Sequence, residues 1–126
     1  MNEKNTAYLK EAYPNVSRHI TWFECHDGWF KLLCRLFGAL ESAVIKAKEP
    51  KLYYVEQVKQ KFGALRVEMS ATHDNDGLPL EGLDTALKQA ESDSMSICET
   101  CGKPGYIINN HGWIYVSCDE HNNEKG

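Results

Sequence analysis

Apolar residues recur at helical spacing in the first half of the chain. Residues 4–13 form a short amphipathic stretch that Pro14 ends. A broader apolar stripe follows, and its members are Trp29, Phe30, Leu32, Leu33, Leu36, Phe37, Leu40 and Val44. Because such a wide stripe needs burial on more than one side, it predicts a central helix with Asp27 as its N-cap and Pro50 beyond its end. The aromatic residues 20–23 predict either a short strand or a packed connecting segment.

The middle of the chain changes to runs of residues that favour β-strands. Residues 52–58 and 65–69 are two such runs, and the short connection between them contains Gly63, so an antiparallel hairpin is predicted. Residues 73–77 indicate a polar loop, and apolar residues then return at helical spacing over about 79–94. Helices packed on a small antiparallel hairpin predict an α+β fold for residues 1–96.

The strongest chemical signal lies near the C-terminus, where C-x-x-C-G is followed by C-x-x-H. Each closely spaced pair can form a knuckle that directs two ligand atoms at one point, so Cys98, Cys101, Cys118 and His121 predict a tetrahedral Cys3His site. The mixed ligand set favours Zn²⁺ over iron, and four protein ligands indicate a structural role. β-Forming residues flank a polar turn between the two pairs, so residues 97–126 are predicted to form a zinc ribbon.

Two further residues bear on this assignment. Gly102 follows the second cysteine and can adopt the positive φ that turns backbone N–H groups toward the thiolates. His111, in the polar turn of the ribbon, is an alternative ligand to His121. The close spacing within each ligand pair favours His121.

Composition narrows the function classes. The chain has 126 residues, a formal charge of −4 and 42% apolar residues, as in a small globular protein. An acidic balance argues against general nucleic-acid binding, which normally needs a basic surface. No apolar run approaches the length of a membrane span, and the polar N-terminus lacks the apolar core of a signal peptide. Five cysteines, three of them assigned to a metal, fit a reducing compartment, so a cytoplasmic protein is expected.

Three cations gather in the predicted hairpin segment K-Q-K-F-G-A-L-R. Strand alternation places Lys59 and Lys61 on one face, and Arg66 supplies a planar fork that suits phosphate or carboxylate. Gly63 would let the backbone approach a ligand closely. A basic cluster on an acidic protein favours a small anion over a long polyanion. The alternative is a solvated hairpin whose charges keep an edge soluble.

The same hairpin is predicted to bring aromatic rings to this site. Phe62 lies within the basic cluster, and the candidate rings that would join it are Trp29, Tyr53 and Tyr54. Cations beside aromatic faces indicate a nucleotide-like anionic small molecule as the ligand. A chain this small encloses a ligand more easily between two subunits, so we expect a homo-oligomer, most simply a dimer.

Cys25, His26 and Asp27 have the residue types of a nucleophilic catalytic set. Three consecutive side chains point in divergent directions and cannot form a line of nucleophile, base and orienting group. Cys25 and Cys34 are expected to be small buried residues, and no catalytic residue is predicted.

The chain resembles a widespread and largely uncharacterised family of small phage and bacterial proteins. The matching motifs are D-G-W at 27–29, K-x-K-F-G-x-L-R at 59–66, A-E-x-x-S at 90–94 and C-E-x-C-G at 98–102, which together with the final ligand pair span about residues 24–121. The family pattern closes its ribbon with a fourth cysteine, whereas this chain has His121. The resemblance implies a phage or prophage setting, and therefore the host cytoplasm.

Several functions follow from this setting. Small phage proteins with a cationic, aromatic site are similar to counter-defence sponges, which sequester nucleotide immune signals such as cyclic ADP-ribose derivatives. By that analogy the leading hypothesis is non-enzymatic sequestration of such a signal. The second hypothesis is a zinc-ribbon adaptor that binds a host protein or nucleic acid, and a third is hydrolysis of a nucleotide signal. The nucleic-acid branch has little support, because Lys103 is the only cation between Cys98 and His121 outside the histidines.

Overall fold

Three helices and two separate antiparallel hairpins make up the part of the chain that the computed structural model describes, which is residues 1–72 and 82–122. The elements in chain order are α1 (Glu3–Ala12), α2 (Phe30–Lys46), β1 (Tyr53–Lys61), β2 (Ala64–Ala71), α3 (Leu83–Ser94), β3 (Tyr106–Asn110) and β4 (Trp113–Ser117). The predicted α+β class, with a hairpin at the C-terminal cysteines, is confirmed. The predicted polar loop at 73–77, residues 79–81 at the start of the third predicted helix and the last four residues lie outside the described ranges. Within those ranges, no helix has the length and apolar character needed to cross a bilayer.

The core is organised around α2, as its wide apolar stripe predicted. Leu33, Phe37, Leu40 and Val44 on this helix have no exposed surface. Burying four such side chains contributes about 1.5–3 kcal/mol each relative to leaving them in water. α2 contacts both α1 and α3, and its buried side chains share one core with those of the first hairpin.

The predicted N-cap role of Asp27 is wrong. Asp27 begins a 3-10 turn, Asp27–Trp29, that precedes α2. Its carboxylate accepts hydrogen bonds from the Asn2 N–H at 2.8 Å and from the Asn5 side-chain amide at 3.1 Å. The hydrogen bond from the Asn2 N–H is the largest cause of a lowered pKa at Asp27. Burial opposes it, and the Asn5 amide, the N-terminal ammonium group and His26 add to the lowering. The carboxylate therefore ties α1 to the start of the central helix and caps neither.

The connection at 20–23 forms no strand, so the alternative of a packed segment is confirmed. Ile20 and Phe23 are buried in the core. Glu24, the next residue, donates its N–H to the Val58 carbonyl at 2.9 Å. This carbonyl points to the side of β1 that faces away from β2. One edge of the first hairpin is therefore covered by this connection.

Glu41 is a buried carboxylate that the sequence pattern did not single out. Its side chain is 6% exposed within the helix α2. The two carboxylate oxygens accept hydrogen bonds from the Asn15 N–H, the Asn15 side-chain amide and the Val16 N–H at 3.2, 2.6 and 3.0 Å. Glu41 therefore satisfies the backbone of the turn that follows α1 and fixes that turn against the central helix.

Replacing Glu41 by alanine is expected to lower the free energy of unfolding by about 2–4 kcal/mol, because three donors lose a charged acceptor. Glu41→Gln, which retains an acceptor oxygen, should cost less. Glu11→Ala, at an exposed position of α1, is the matched control and should change stability by no more than about 0.5 kcal/mol. Urea unfolding followed by circular dichroism measures all three, and equal losses at positions 41 and 11 would contradict the assignment.

Candidate metal centre and cationic hairpin

The two ligand pairs of the ribbon converge on one point. Cys98 and Cys101 lie before β3, and Cys118 and His121 lie after β4. Their four ligand atoms all lie within 4.8 Å of one another. The Cys101 and Cys118 Sγ atoms are 3.7 Å apart, and His121 Nδ1 lies 3.2 Å from Cys118 Sγ and 3.8 Å from Cys98 Sγ. This Cys3His cluster can hold a metal ion.

The backbone around Cys98 favours the thiolate form that a metal requires. Burial opposes ionisation of Cys98, but hydrogen bonds from backbone N–H groups of Cys101, Cys118 and Thr100 outweigh it and lower the pKa to about 6. Gly102 has the predicted positive φ, +83°, and donates its N–H to the Cys98 carbonyl at 2.8 Å. The knuckle is therefore shaped for a negatively charged ligand sulfur.

His111 is outside the ligand cluster. It occupies the β3–β4 turn with φ of +54° and is exposed. Among the described residues the cluster contains His121 as its histidine, as the close spacing of the ligand pairs predicted.

The D-G-W motif contacts the first knuckle directly. The Gly28 N–H donates to the Glu99 carbonyl at 2.7 Å, and the Trp29 indole N–H donates to the Ile97 carbonyl at 3.0 Å. The His26 N–H donates to the buried Glu99 carboxylate at 3.0 Å. A side chain at position 28 would overlap the carbonyl oxygens of Cys98 and Glu99. We call this group of contacts the knuckle clasp, and it joins the D-G-W segment to the C-E-x-C segment of this chain.

A second set of contacts joins the K-F-G-x-L-R motif to its surroundings. The Leu65 N–H donates to Ser94 Oγ at 2.8 Å, which links this motif to the serine of A-E-x-x-S. The Gln60 side-chain amide donates to the Ile114 carbonyl of β4 at 2.9 Å. Gly63, with φ of +83°, lies against the Ile114 side chain. Gly63 is therefore buried against the ribbon, and its predicted role in approaching a ligand is wrong.

The three predicted cations share one face of the first hairpin. Lys59 lies directly opposite Arg66 in the β1–β2 register, and Lys61 follows two residues later on the same face. Lys59 Nζ is 4.0 Å from a carboxylate oxygen of Glu68, a partly exposed pair of small energetic weight. We call the face formed by Lys59, Lys61 and Arg66 the cationic face.

The predicted aromatic residues divide into two groups. Phe62 is 71% exposed, and Lys61 Nζ lies 5.9 Å from the centre of its ring. Trp29 and Tyr53 have no exposed surface, so their predicted role as stacking rings is wrong. Both rings belong to the buried core, which needs their apolar area. Tyr54 is half-buried at the opposite end of β1, where Arg18 lies 5.2 Å from its ring centre.

Cys25 has no features of a nucleophile. Its side chain is 6% exposed. Burial, and to a smaller degree the negative charge of the nearby Glu99 carboxylate, raise the pKa of the thiol to about 12. Cys34 is half-buried, and burial raises the pKa of its thiol as well. Both thiols are therefore protonated at neutral pH, in keeping with their predicted role as small packing residues.

Sequence reasoning missed the buried polar residues Glu41, Ser94 and Glu99. Glu99 lies between Cys98 and Cys101 of the Cys3His cluster, and this position was the available sign that it has a structural role near the knuckle. Ser94 ends an amphipathic helix, where a serine normally faces solvent. Its place in the A-E-x-x-S motif marked it, but nothing in the sequence indicated the Leu65 N–H as its partner.

Comparisons with known proteins identify no relative. No protein-family model matches the chain, and neither the search of curated proteins nor the search of solved structures found a significant match. The function must therefore be argued from the geometry of the chain itself.

Proposed function

We propose that this protein binds a nucleotide-derived anionic small molecule on the cationic face and sequesters it without chemical change. The observation that carries the proposal is the common face of Lys59, Lys61 and Arg66, with the exposed Phe62 ring at its end. Gly63 packs against Ile114, and Leu65 donates its N–H to Ser94. The side chains of Lys59, Lys61, Phe62 and Arg66 project from the hairpin instead. Phosphate oxygens would contact the cations, and a base would stack on Phe62.

The energies are sufficient for useful affinity. Two or three charge-assisted hydrogen bonds contribute about 1.5–3 kcal/mol each, and one stacked base about 1–3 kcal/mol. Part of this gain is offset by the loss of translational and rotational freedom on binding. One hairpin covers only one side of a ligand, so a second copy of the chain placed over the cationic face would raise affinity by excluding water. We therefore retain the homodimer as part of the proposal.

We propose Zn²⁺ as the metal of the Cys3His cluster. A tetrahedral ion with Zn–S bonds of about 2.3 Å places its ligand sulfurs about 3.7–3.8 Å apart, and the Cys101–Cys118 distance of 3.7 Å fits this geometry. Bound zinc would neutralise the thiolates and fix the two knuckles. The knuckle clasp gives this metal a structural role, because it joins the ribbon to the start of α2.

The setting proposed from the motif resemblance is a phage-encoded protein in the host cytoplasm. There the ligand would be an immune signal such as a cyclic ADP-ribose derivative. Sequestration fits the site chemistry better than hydrolysis does, because the cationic face and Phe62 supply no general base, and the neighbouring Glu68 carboxylate faces Lys59 Nζ at 4.0 Å. Incubation of the protein with a candidate signal, followed by chromatography, separates the two, since sequestration returns the signal intact after denaturation.

The adaptor hypothesis has one observation in its favour. Trp113, Ile107 and Tyr106 of the ribbon are 65%, 48% and 47% exposed, and exposed large apolar side chains are common at protein interfaces. A host protein recovered with the wild-type chain but not with Trp113→Ala would support this second function. No comparable basic surface favours nucleic acid on the described part of the ribbon, where Lys103 is paired with Glu120 at 3.2 Å.

Arg66→Ala is expected to reduce ligand-induced stabilisation strongly. Wild-type protein is screened by thermal shift with ADP-ribose, cyclic ADP-ribose and cyclic dinucleotides, and one of these should raise the melting temperature by several degrees. Arg66→Ala and Phe62→Ala should each weaken binding about 10- to 100-fold, as expected for the loss of about 1.4–2.8 kcal/mol. Arg35→Ala removes the same charge from an exposed position on α2 and is the matched control. Absence of any shift with all of these ligands would remove the proposal.

A further inference from the structure

The outer edge of β2 carries backbone groups that point away from its partner strand. The Val58 carbonyl accepts from Glu24, on the side of β1 away from β2, so Val58 and Val67 form a pair without mutual hydrogen bonds. The Val67 N–H and C=O therefore point to the outer edge of β2. Leu65 confirms this direction independently, because its N–H points outward to Ser94 Oγ. Within residues 1–72 and 82–122, no partner satisfies the Val67 groups.

This edge opens into a groove whose other wall is α3. Leu65, Val67 and Leu87 supply apolar surface, and Arg66, Lys88 and Glu91 supply charges at the rim. The cavity volume is about 260 Å³, which is below the range of about 300–1,000 Å³ for pockets that enclose small molecules. Room for one side chain beside an unpaired strand edge suits an extended peptide better than a nucleotide.

We propose that this groove binds an extended peptide segment of another protein by adding a strand to the edge of β2. Backbone groups of the peptide would pair with the Val67 N–H and C=O, and one apolar side chain would enter between Leu65 and Leu87. This binding site is separate from the proposed sequestration of a small molecule, although Arg66 borders both.

Arg66 favours an acidic residue in the bound peptide on the face of β2 opposite Leu65 and Val67, whereas Glu91 on α3 would disfavour a second acidic residue at the groove itself. Lys88 is paired with Asp84 at 3.0 Å, whereas no ion pair engages Arg66 among the described residues. The guanidinium group suits a carboxylate because its fork donates two parallel hydrogen bonds. The peptide is therefore an alternation of apolar and polar residues with Asp or Glu next to the apolar residue that fills the groove.

Selection from a library of random displayed decapeptides tests this proposal. The selected peptides should alternate apolar and polar residues and contain an acidic position. Val67→Pro removes the outward N–H without breaking the β1–β2 ladder and should weaken binding at least 10-fold. Val67→Thr keeps the N–H and a similar shape, so it is the matched control and should bind within about threefold of wild type. Bound peptide should also slow hydrogen exchange of the Val67 amide.

A second variant approaches the groove from the helix. Leu87→Lys places a charge on the apolar wall and should abolish binding while the thermal unfolding transition persists. Phe62→Ala should leave peptide binding unchanged, which distinguishes failure of this proposal from failure of the small-molecule site. The proposal would be overturned if no peptide is selected, or if Val67→Pro binds the selected peptide as tightly as the wild type. It would also be overturned if NMR shifts on adding an anion are confined to Arg66 and Lys88, or if the Val67 amide is protected by self-association alone.

Discussion

Serine in place of Cys98 is expected to unfold much more than the ribbon. The bound metal is expected to contribute on the order of 10 kcal/mol to folding, comparable with the total stability of a small domain. The knuckle clasp transmits this loss, since Gly28 and Trp29 at the start of the central helix bond to backbone carbonyls of the same knuckle. We expect Cys98→Ser, or chelation of the metal, to cost at least about 5 kcal/mol and to lower the melting temperature by at least about 15 °C.

Paired histidine variants test the ligand assignment within this prediction. His121→Ala removes a ligand and should resemble Cys98→Ser in calorimetry and in metal content. His111→Ala alters an exposed turn and should keep both properties of the wild type. A stable, metal-free protein that keeps its wild-type near-ultraviolet circular dichroism would show that the clasp persists without metal and would contradict the prediction.

Alanine at position 28 is expected to have the second largest effect. The added methyl group would overlap two backbone carbonyls of the knuckle, and backbone cannot move aside as a flexible side chain can. The Gly28 hydrogen bond to Glu99 would also be displaced. We expect Gly28→Ala to lower the free energy of unfolding by about 3 kcal/mol or more, measured by urea unfolding of the metal-loaded protein.

Gly38→Ala provides the control for this substitution. Gly38 lies within α2, and a methyl group there would meet Tyr13 Cε1 at 3.6 Å, an ordinary contact distance. Alanine has a higher helix propensity than glycine, so this variant should be neutral or more stable by up to about 1 kcal/mol. Similar losses at both positions would show that the clash at Gly28 is relieved at little cost.

The elements with strong local patterns could be predicted from sequence. The wide apolar stripe of α2 and the β-formers on both sides of Gly63 each determine their own structure through periodicity. The paired spacing of the cysteines identifies the cluster that can hold a metal ion. Local patterns do not reveal which residues meet across the fold. Trp29 was expected to stack on a ligand, because an aromatic ring is equally at home in a binding site and in a core. Only its burial and its hydrogen bond to the Ile97 carbonyl show that it belongs to the core. Asp27 was likewise predicted to cap the helix that follows it, because the sequence does not show that its hydrogen-bond donors, Asn2 and Asn5, lie 25 and 22 residues away.

The knuckle clasp also governs when the chain can fold during synthesis. Trp29 and His26 find their hydrogen-bond partners 68 and 73 residues later in the chain. The ribosome therefore releases α1 and α2 well before Ile97 and Glu99 exist to cover the start of the central helix. Contacts so distant in sequence slow folding, so we expect the nascent chain to expose Trp29 until residues 97–99 have been synthesised and can cover it.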